Sequence, residues 1–300
     1  MIYTVTFSPA IDYVVDLANF TIGDINRTQQ EQVFPGGKGI NVSLVLANLG
    51  KSSIATGFLG GFTGAFIKEE LAKRNIKSGF IEVDGLTRIN VKIRAGKETA
   101  INGQGPNIKD EDINKLISQL EKLTKDDLLV ISGTVPKSLP SNIYEMILER
   151  IKDNKVEVIV DATKDILLNT LKYRPLLVKP NKEELEEMFN VSISNDQELI
   201  ENASKLLSLG ARNVIVSLGG DGALLVGEGL ESVKRSAPQG KVVNTVGAGD
   251  SLVAGFIAEY LDSKDIKKAF KQGIATGSAS AFSEYLATKE EVTNLLNKMD

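Results

Sequence analysis

The 300-residue chain contains neither cysteine nor histidine. The first absence excludes disulfides and thiolate nucleophiles, and the second removes the imidazole that most often serves as a general base near neutral pH. Any catalysis must run on carboxylates, lysines, arginines, hydroxyls or backbone groups. A strong charge of either sign is missing too. The 35 Lys and Arg against 39 Asp and Glu leave a formal net charge of -4, too mild for a nucleic-acid surface or a disordered acidic tail. An anion site therefore has to be built locally. No uninterrupted apolar run approaches the roughly 20 residues that span a bilayer. The opening MIYTVTFSPAIDYVV alternates like a strand and lacks the basic n-region of a signal peptide. The expectation is a soluble, cytoplasmic protein with no membrane and no nucleic-acid partner.

What is present is ordinary globular material, 42% hydrophobic and 25% charged, enough for a sizeable core. From about residue 110 the order is regular. Ile113, Leu116, Ile117, Leu120 and Leu123 form a helical stripe behind an N-cap candidate at Asp110, and LLVIS (128–132) follows as a buried strand. The alternation continues with a helix near 141–152, VEVIVD (156–161), PLLVK (175–179), a helix near 195–209 and NVIVS (213–217). Apolar strands separated by helices predict an α/β fold with a mainly parallel sheet covered on both faces. The first hundred residues are less regular: VVDLANF, INRTQQEQVF and INVKIRAGKETAING read as antiparallel strands exposed on one face. We expect a single α/β domain over 1–300, with insertions near 12–35 and 86–105 that together build a small β-sheet over a site.

Glycine-rich turns carry the chemistry. Gly50-Lys51-Ser52 is not a Walker A loop, because the required glycine five residues earlier is Val45, and Gly50 reads as a helix C-cap. In PGGKGINVSLVLANLG (35–50), glycines, Lys38 and Asn41 lead into an amphipathic helix, whose N-terminus welcomes an anion. SLGGDGALL (217–225) sits at the C-terminal end of a predicted parallel strand, where open α/β sheets bind ligands, although tight turns also need such glycines. In NTVGAGDSLVAGF (244–256), the amides of Gly247, Ala248 and Gly249 can form an oxyanion cradle at a helix start. Asp250 at its rim is either a base that takes a hydroxyl proton or simply the helix N-cap. In KPNKEEL (179–185), Asn181 and Glu184 offer oxygens to a hard cation or merely open a helix.

GGKGIN (36–41) and NTVGAGDS (244–251), with ISGTVP (131–136) and KPNKEE (179–184) at matching spacings, resemble the PfkB-type carbohydrate kinases of the ribokinase superfamily along almost the whole chain. The resemblance implies a ribokinase-like three-layer sandwich with a β-sheet lid. It makes Asp250 the catalytic base and the amides of Gly247, Ala248, Gly249 and Asp250 the anion hole. It assigns Asp12, Gly37, Lys38 and Asn41 to the sugar, and Arg88 and Arg27 to a phosphate already on it, Arg27 acting across a dimer. Ser217, Gly219, Gly222 and Gly249 fall in the nucleotide-binding turns, and Asn181 and Glu184 in a Mg²⁺ and water network. TRINVKI (87–93) and INGQGP (101–106) are similar to members acting on fructose 1-phosphate with ATP. Tagatose 6-phosphate, or a sugar-phosphate sensor without turnover, stays open. So do the choice between a homodimer through the lid and a monomer, and the role of a monovalent cation, since many members carry Asp where this chain has Asn244. Lys92 and Arg94 serve the site or solubilise the lid, and Gly273, Ala275, Gly277 and Ser278 border adenine or pack closely.

Overall fold

The structure, a computed structural model, describes residues 1–299. The chain opens with β1 (Ile2–Thr6), β2 (Ala10–Asp16), β3 (Gln30–Gly36), α1 (Lys38–Asn48), β4 (Ser53–Leu59) and α2 (Gly61–Ala72). The short strands β5 (Lys77–Ser78) and β6 (Ile81–Glu82) precede β7 (Arg88–Ala95) and β8 (Lys97–Asn102). Helix and strand then alternate through α3 (Asp110–Leu120), β9 (Leu128–Ser132), α4 (Ile143–Ile151), β10 (Glu157–Asp161), α5 (Lys164–Thr170), β11 (Leu177–Val178), α6 (Lys182–Phe189), α7 (Asp196–Ser208) and β12 (Asn213–Ser217). The hairpin β13 (Ala223–Gly227) and β14 (Leu230–Arg235) leads to α8 (Ala248–Ser263), α9 (Ile266–Phe282) and α10 (Lys289–Leu296). Among the described residues no helix is long and apolar enough to cross a membrane.

The central sheet runs β14-β13-β12-β11-β10-β9-β1-β4-β5, with β6 paired to the end of β4. It is parallel from β5 to β12 and antiparallel only at the β12–β13–β14 edge. Two-sided burial explains why its strands read as continuous apolar runs. In β9 every residue is buried: Leu128 and Val130 face a layer containing α1, α2, α8 and α9, while Leu129 and Ile131 face α3 to α7. These are the three layers of the sandwich. At α3, Asp110, Glu111 and Asp112 fill the first turn and complement its positive end. The N-cap position is Lys109, one residue before the expected Asp110.

Two sequence expectations need correction. PLLVK supplies only two strand residues, because Pro175 and Pro180 bracket it and neither has an N–H for the ladder; their carbonyls accept instead from Arg212 and Ser217. The small sheet, ordered β3-β2-β7-β8, is mixed rather than antiparallel throughout. Its two hairpins, β2–β3 and β7–β8, are each antiparallel, but β2 and β7 meet side by side in parallel register. They come from insertions separated by α1, β4 and α2, so no tight turn forces them into opposite directions.

Candidate active site

The C-terminal ends of β1, β9, β10 and β12 point to one edge of the sheet, where the glycine loops gather. Gly37 has φ +122°, and a Cβ there would stand 2.6 Å from Cγ2 of Thr6, so only glycine lets the loop rest on the end of β1 before turning into α1. The first turn of α1 then presents Lys38 and Asn41. Asn41 donates from Nδ2 to Oδ2 of Asp250 at 2.8 Å, and Lys38 Nζ lies 3.2 Å from Oδ2 of Asp161. The first turns of α1 and α8 are thereby brought together across 209 residues of chain.

Asp161 is the centre of this arrangement, and sequence reading passed over it. It ends β10, is 2% exposed, and offers its second oxygen to Lys179 Nζ at 3.4 Å. Burial alone would raise its pKa, but the Lys179 and Lys38 ammoniums outweigh burial and hold it below the usual carboxylate value. Lys38 shows the converse: desolvation opposes its charge, yet Asp161 and Asp250 raise its pKa overall. Lys179 is 5% exposed and reaches the first turn of α8, since a Cβ on Gly249 would lie 3.2 Å from its Nζ. The available signal was a charge closing each of two mainly apolar runs, VEVIVD and PLLVK.

Asp250 sits opposite in charge balance. Burial first, and the Asp161 carboxylate second, push its pKa up from 3.8 to about 6 against the pull of Lys38, Asn41 and Lys179. It is not the N-cap of α8. Gly247 occupies that position in the left-handed region at φ +78°, and Asp250 is the third residue of the helix. No side chain caps α8, and the Ala248 amide turns back to the Thr245 carbonyl at 3.2 Å. The amides of Gly249 and Asp250 stand in the first turn of a 16-residue helix, whose partial positive end favours an anion.

Beside this turn opens a cavity of about 1110 Å³, lined by Ser217, Gly219, Gly222, Ala248 and Gly249 together with Asn181 and the face of α9. Its size suits a nucleotide. The small residues of α9 divide between the two roles left open by the sequence. Gly277 and Ser278 line the cavity. Gly273 instead lies against α8, where a Cβ would meet the Leu252 carbonyl at 2.9 Å, and Ala275 packs against α10.

The small sheet carries Asp12 and Arg88 on adjacent strands. Asp12 accepts a 2.9 Å hydrogen bond from Asn90, and its charge partly offsets the burial that lowers the pKa of Arg88. Arg88 donates to the Ser8 and Gly103 carbonyls at 3.1 and 3.4 Å, while its buried Nε has no partner. It borders a small pocket whose other polar walls are Ser8, Gln104 and Ser138. Lys92 and Arg94 share the Arg88 face by register, and Arg94 pairs with Glu98 at 3.5 Å. Arg27 is not brought to the site: it is exposed on the β2–β3 loop and pairs with no described residue.

Asn181 and Glu184 form a reciprocal capping box on α6. Asn181 Oδ1 accepts from the Glu184 amide at 2.7 Å, and Glu184 Oε2 from the Asn181 amide at 2.8 Å. Pulling Asn181 Oδ1 onto a metal would surrender a cap worth about 1 kcal/mol, whereas the second Glu184 oxygen takes no part in the cap. No cluster of three acidic ligands occurs among the described residues. The donor set thus fits a Mg²⁺ ion carried by nucleotide phosphates and touched through water. Asn244 ties its loop to the segment after α9, accepting from the Val246 amide at 3.0 Å and donating to the Glu284 carbonyl at 3.2 Å.

Residues 5–292 match the pfkB family carbohydrate kinase pattern. The chain belongs to this family. It is 47% identical over 297 residues to 1-phosphofructokinase of Bacillus subtilis, covering 99% of this chain and 97% of the relative. It is 37% identical to D-tagatose-1-phosphate kinase of Bacillus licheniformis over 287 residues, 95% and 94% of the two chains. Phosphofructokinase-2 from Escherichia coli, solved in complex with potassium, superposes with a TM-score of 0.93 at 27% identity and covers 99% of this chain and 98% of its own. The protein is accordingly a carbohydrate kinase with a ribokinase-like fold, and the curated relatives named here act on sugar phosphates.

Proposed function

We propose that this kinase is an ATP-dependent 1-phosphofructokinase, moving the γ-phosphate of ATP to the C6 hydroxyl of fructose 1-phosphate to give fructose 1,6-bisphosphate and ADP. The observation that carries this reading is the 47% identity to a 1-phosphofructokinase over nearly the full chain. The site supports it chemically. Asp250, poised near pKa 6, takes the proton of the C6 hydroxyl as the oxygen attacks. Asn41 holds one carboxylate oxygen and leaves the other for that proton. The Gly249 and Asp250 amides and the Lys179 and Lys38 ammoniums stand where charge spreads over the transferring group. Ser217, Gly219 and Gly222 line the nucleotide cavity, while Asp12, Gly37 and Lys38 face the sugar side. Arg88 grips the phosphate already on the sugar from the wall of the small pocket. Glu184 would hold a Mg²⁺ ion through water, and that ion would supply charge neutralisation to the phosphates.

We place the enzyme in the cytoplasm, with ATP and a ketose phosphate as its partners, and as a homodimer through the lid. Val33, Tyr13, Val91 and Ile101 form one rung on the lid face opposite Asp12. Val33 and Ile101 on this rung and neighbouring Ile89 are exposed, which suits contact with a second copy. Arg27, unpaired in its own chain, could then serve the partner's phosphate.

The test is ADP release with Mg-ATP on fructose 1-phosphate, fructose 6-phosphate, tagatose 1-phosphate and tagatose 6-phosphate at equal sub-saturating concentrations, in potassium and in choline salts. Preference for fructose 1-phosphate supports the reading. A winning tagatose 1-phosphate moves the assignment to the second relative, and binding without ADP release points to a sensor.

A further inference from the structure

Phe34, Asp12, Asn90 and Asn102 are register partners on β3, β2, β7 and β8, and side chains paired in this way share one face of a sheet. On that face Asn90 donates from Nδ2 to Oδ1 of Asp12 at 2.9 Å. The orientation of the amide is dictated by its partner, because a carboxylate only accepts. The other Asp12 oxygen lies against the glycine loop: a Cβ on Gly36 would meet Oδ2 at 2.3 Å. Asp12 is therefore gripped from two sides, by an amide on β7 and by the backbone that leads into α1.

Asn90 is 7% exposed, and its Oδ1 has no hydrogen-bond partner. A buried amide with its acceptor unused is a poor choice for stability, since that oxygen is desolvated with nothing in return. What the position retains is the donor aimed at Asp12. We propose that Asn90 is a positioning residue for sugar selection, holding the Asp12 carboxylate in one orientation so that it accepts from hydroxyls of one configuration. A freed carboxylate would turn to meet either epimer. The inference rests on the reading that Asp12 faces the sugar.

The experiment is steady-state kinetics of Asn90→Leu, Asn90→Asp, Asp12→Asn and the exchange pair Asp12→Asn with Asn90→Asp, on fructose 1-phosphate and its C4 epimer tagatose 1-phosphate. Asn90→Leu should raise the sugar KM about tenfold, leave the ATP KM within about twofold, and reduce the preference between epimers by at least about threefold. The exchange pair, which restores one donor facing one carboxylate, should regain part of what Asn90→Asp loses through two facing carboxylates. If Asn90→Leu does not fold, Asn90→Ser is read in the same way. An unchanged sugar KM and epimer ratio in the Asn90 variants, with Asp12→Asn impaired, would overturn the positioning role. Unchanged sugar kinetics in Asp12→Asn would instead remove Asp12 from the sugar site. Wild-type inactivity on both epimers would reject the substrate reading, and this inference with it.

Discussion

Asn41 donates to Oδ2 of Asp250 across 2.8 Å, joining the first turn of α1 to the first turn of α8. The bond leaves the other oxygen of this 5% exposed carboxylate without a donor among the described residues, next to the Ala248 and Gly249 turn that lines the large cavity. Asp250→Asn should therefore keep both substrates bound, with KM values changed by less than about threefold, while kcat falls at least about a hundredfold. Near-normal kcat would reduce Asp250 to a helix residue.

The raised pKa has two measurable signs. A base must be ionised to act, so kcat/KM should fall about tenfold per unit as pH drops below about 6. Stability runs the other way: folding strengthens proton binding at Asp250, so its cost is absent below about pH 4, grows between pH 4 and 6, and is complete above. A two-unit shift corresponds to at most about 3 kcal/mol. Asp250→Asn should thus be more stable than the wild type to urea at pH 8, with the gain shrinking at pH 4.

Asp161 holds Lys38 and Lys179 at once. Asp161→Asn keeps the shape but leaves two cations without their counter-ion, and should destabilise the fold by about 3 kcal/mol. The same change removes a negative neighbour of Asp250, so the acid limb of residual activity should move below pH 6. An unmoved limb would show that Asp161 does not tune the base.

Arg88 combines a buried unpaired Nε with a neighbouring carboxylate at Asp12. Arg88→Ala should raise the KM for the phosphorylated sugar at least about tenfold with little change in the ATP KM. Arg88→Lys should recover only a small part, because an ammonium cannot reproduce the planar fork. An unchanged sugar KM removes Arg88 from the site.

Ile101 is 57% exposed at the end of the apolar lid rung. Ile101→Glu should shift sedimentation from dimer to monomer if two lids pack there, since two buried carboxylates would face one another. A wild type that sediments as a monomer at all concentrations would reject the lid interface.

Local chemistry made the layers legible in the sequence. Strands buried on both faces appear as LLVIS and NVIVS, helices as stripes, and the loop-to-helix turns as GGKG and GAGD, because each pattern reflects interactions within a few residues. Tertiary structure decided the rest. Asp161 and Lys179 look in sequence like ordinary charges at strand ends, and only the β10–β11 register and the approach of α1 bury them as one network. Asn90 is one more alternating strand residue until β2 and β7 pair in parallel. That Asp250 is not the cap of α8 turned on where the helix begins, which Gly247 sets by entering the left-handed region three residues before it. Neighbours in the chain determine local shape, but the desolvation and opposing charges that tune a carboxylate come from strands and helices far apart in sequence.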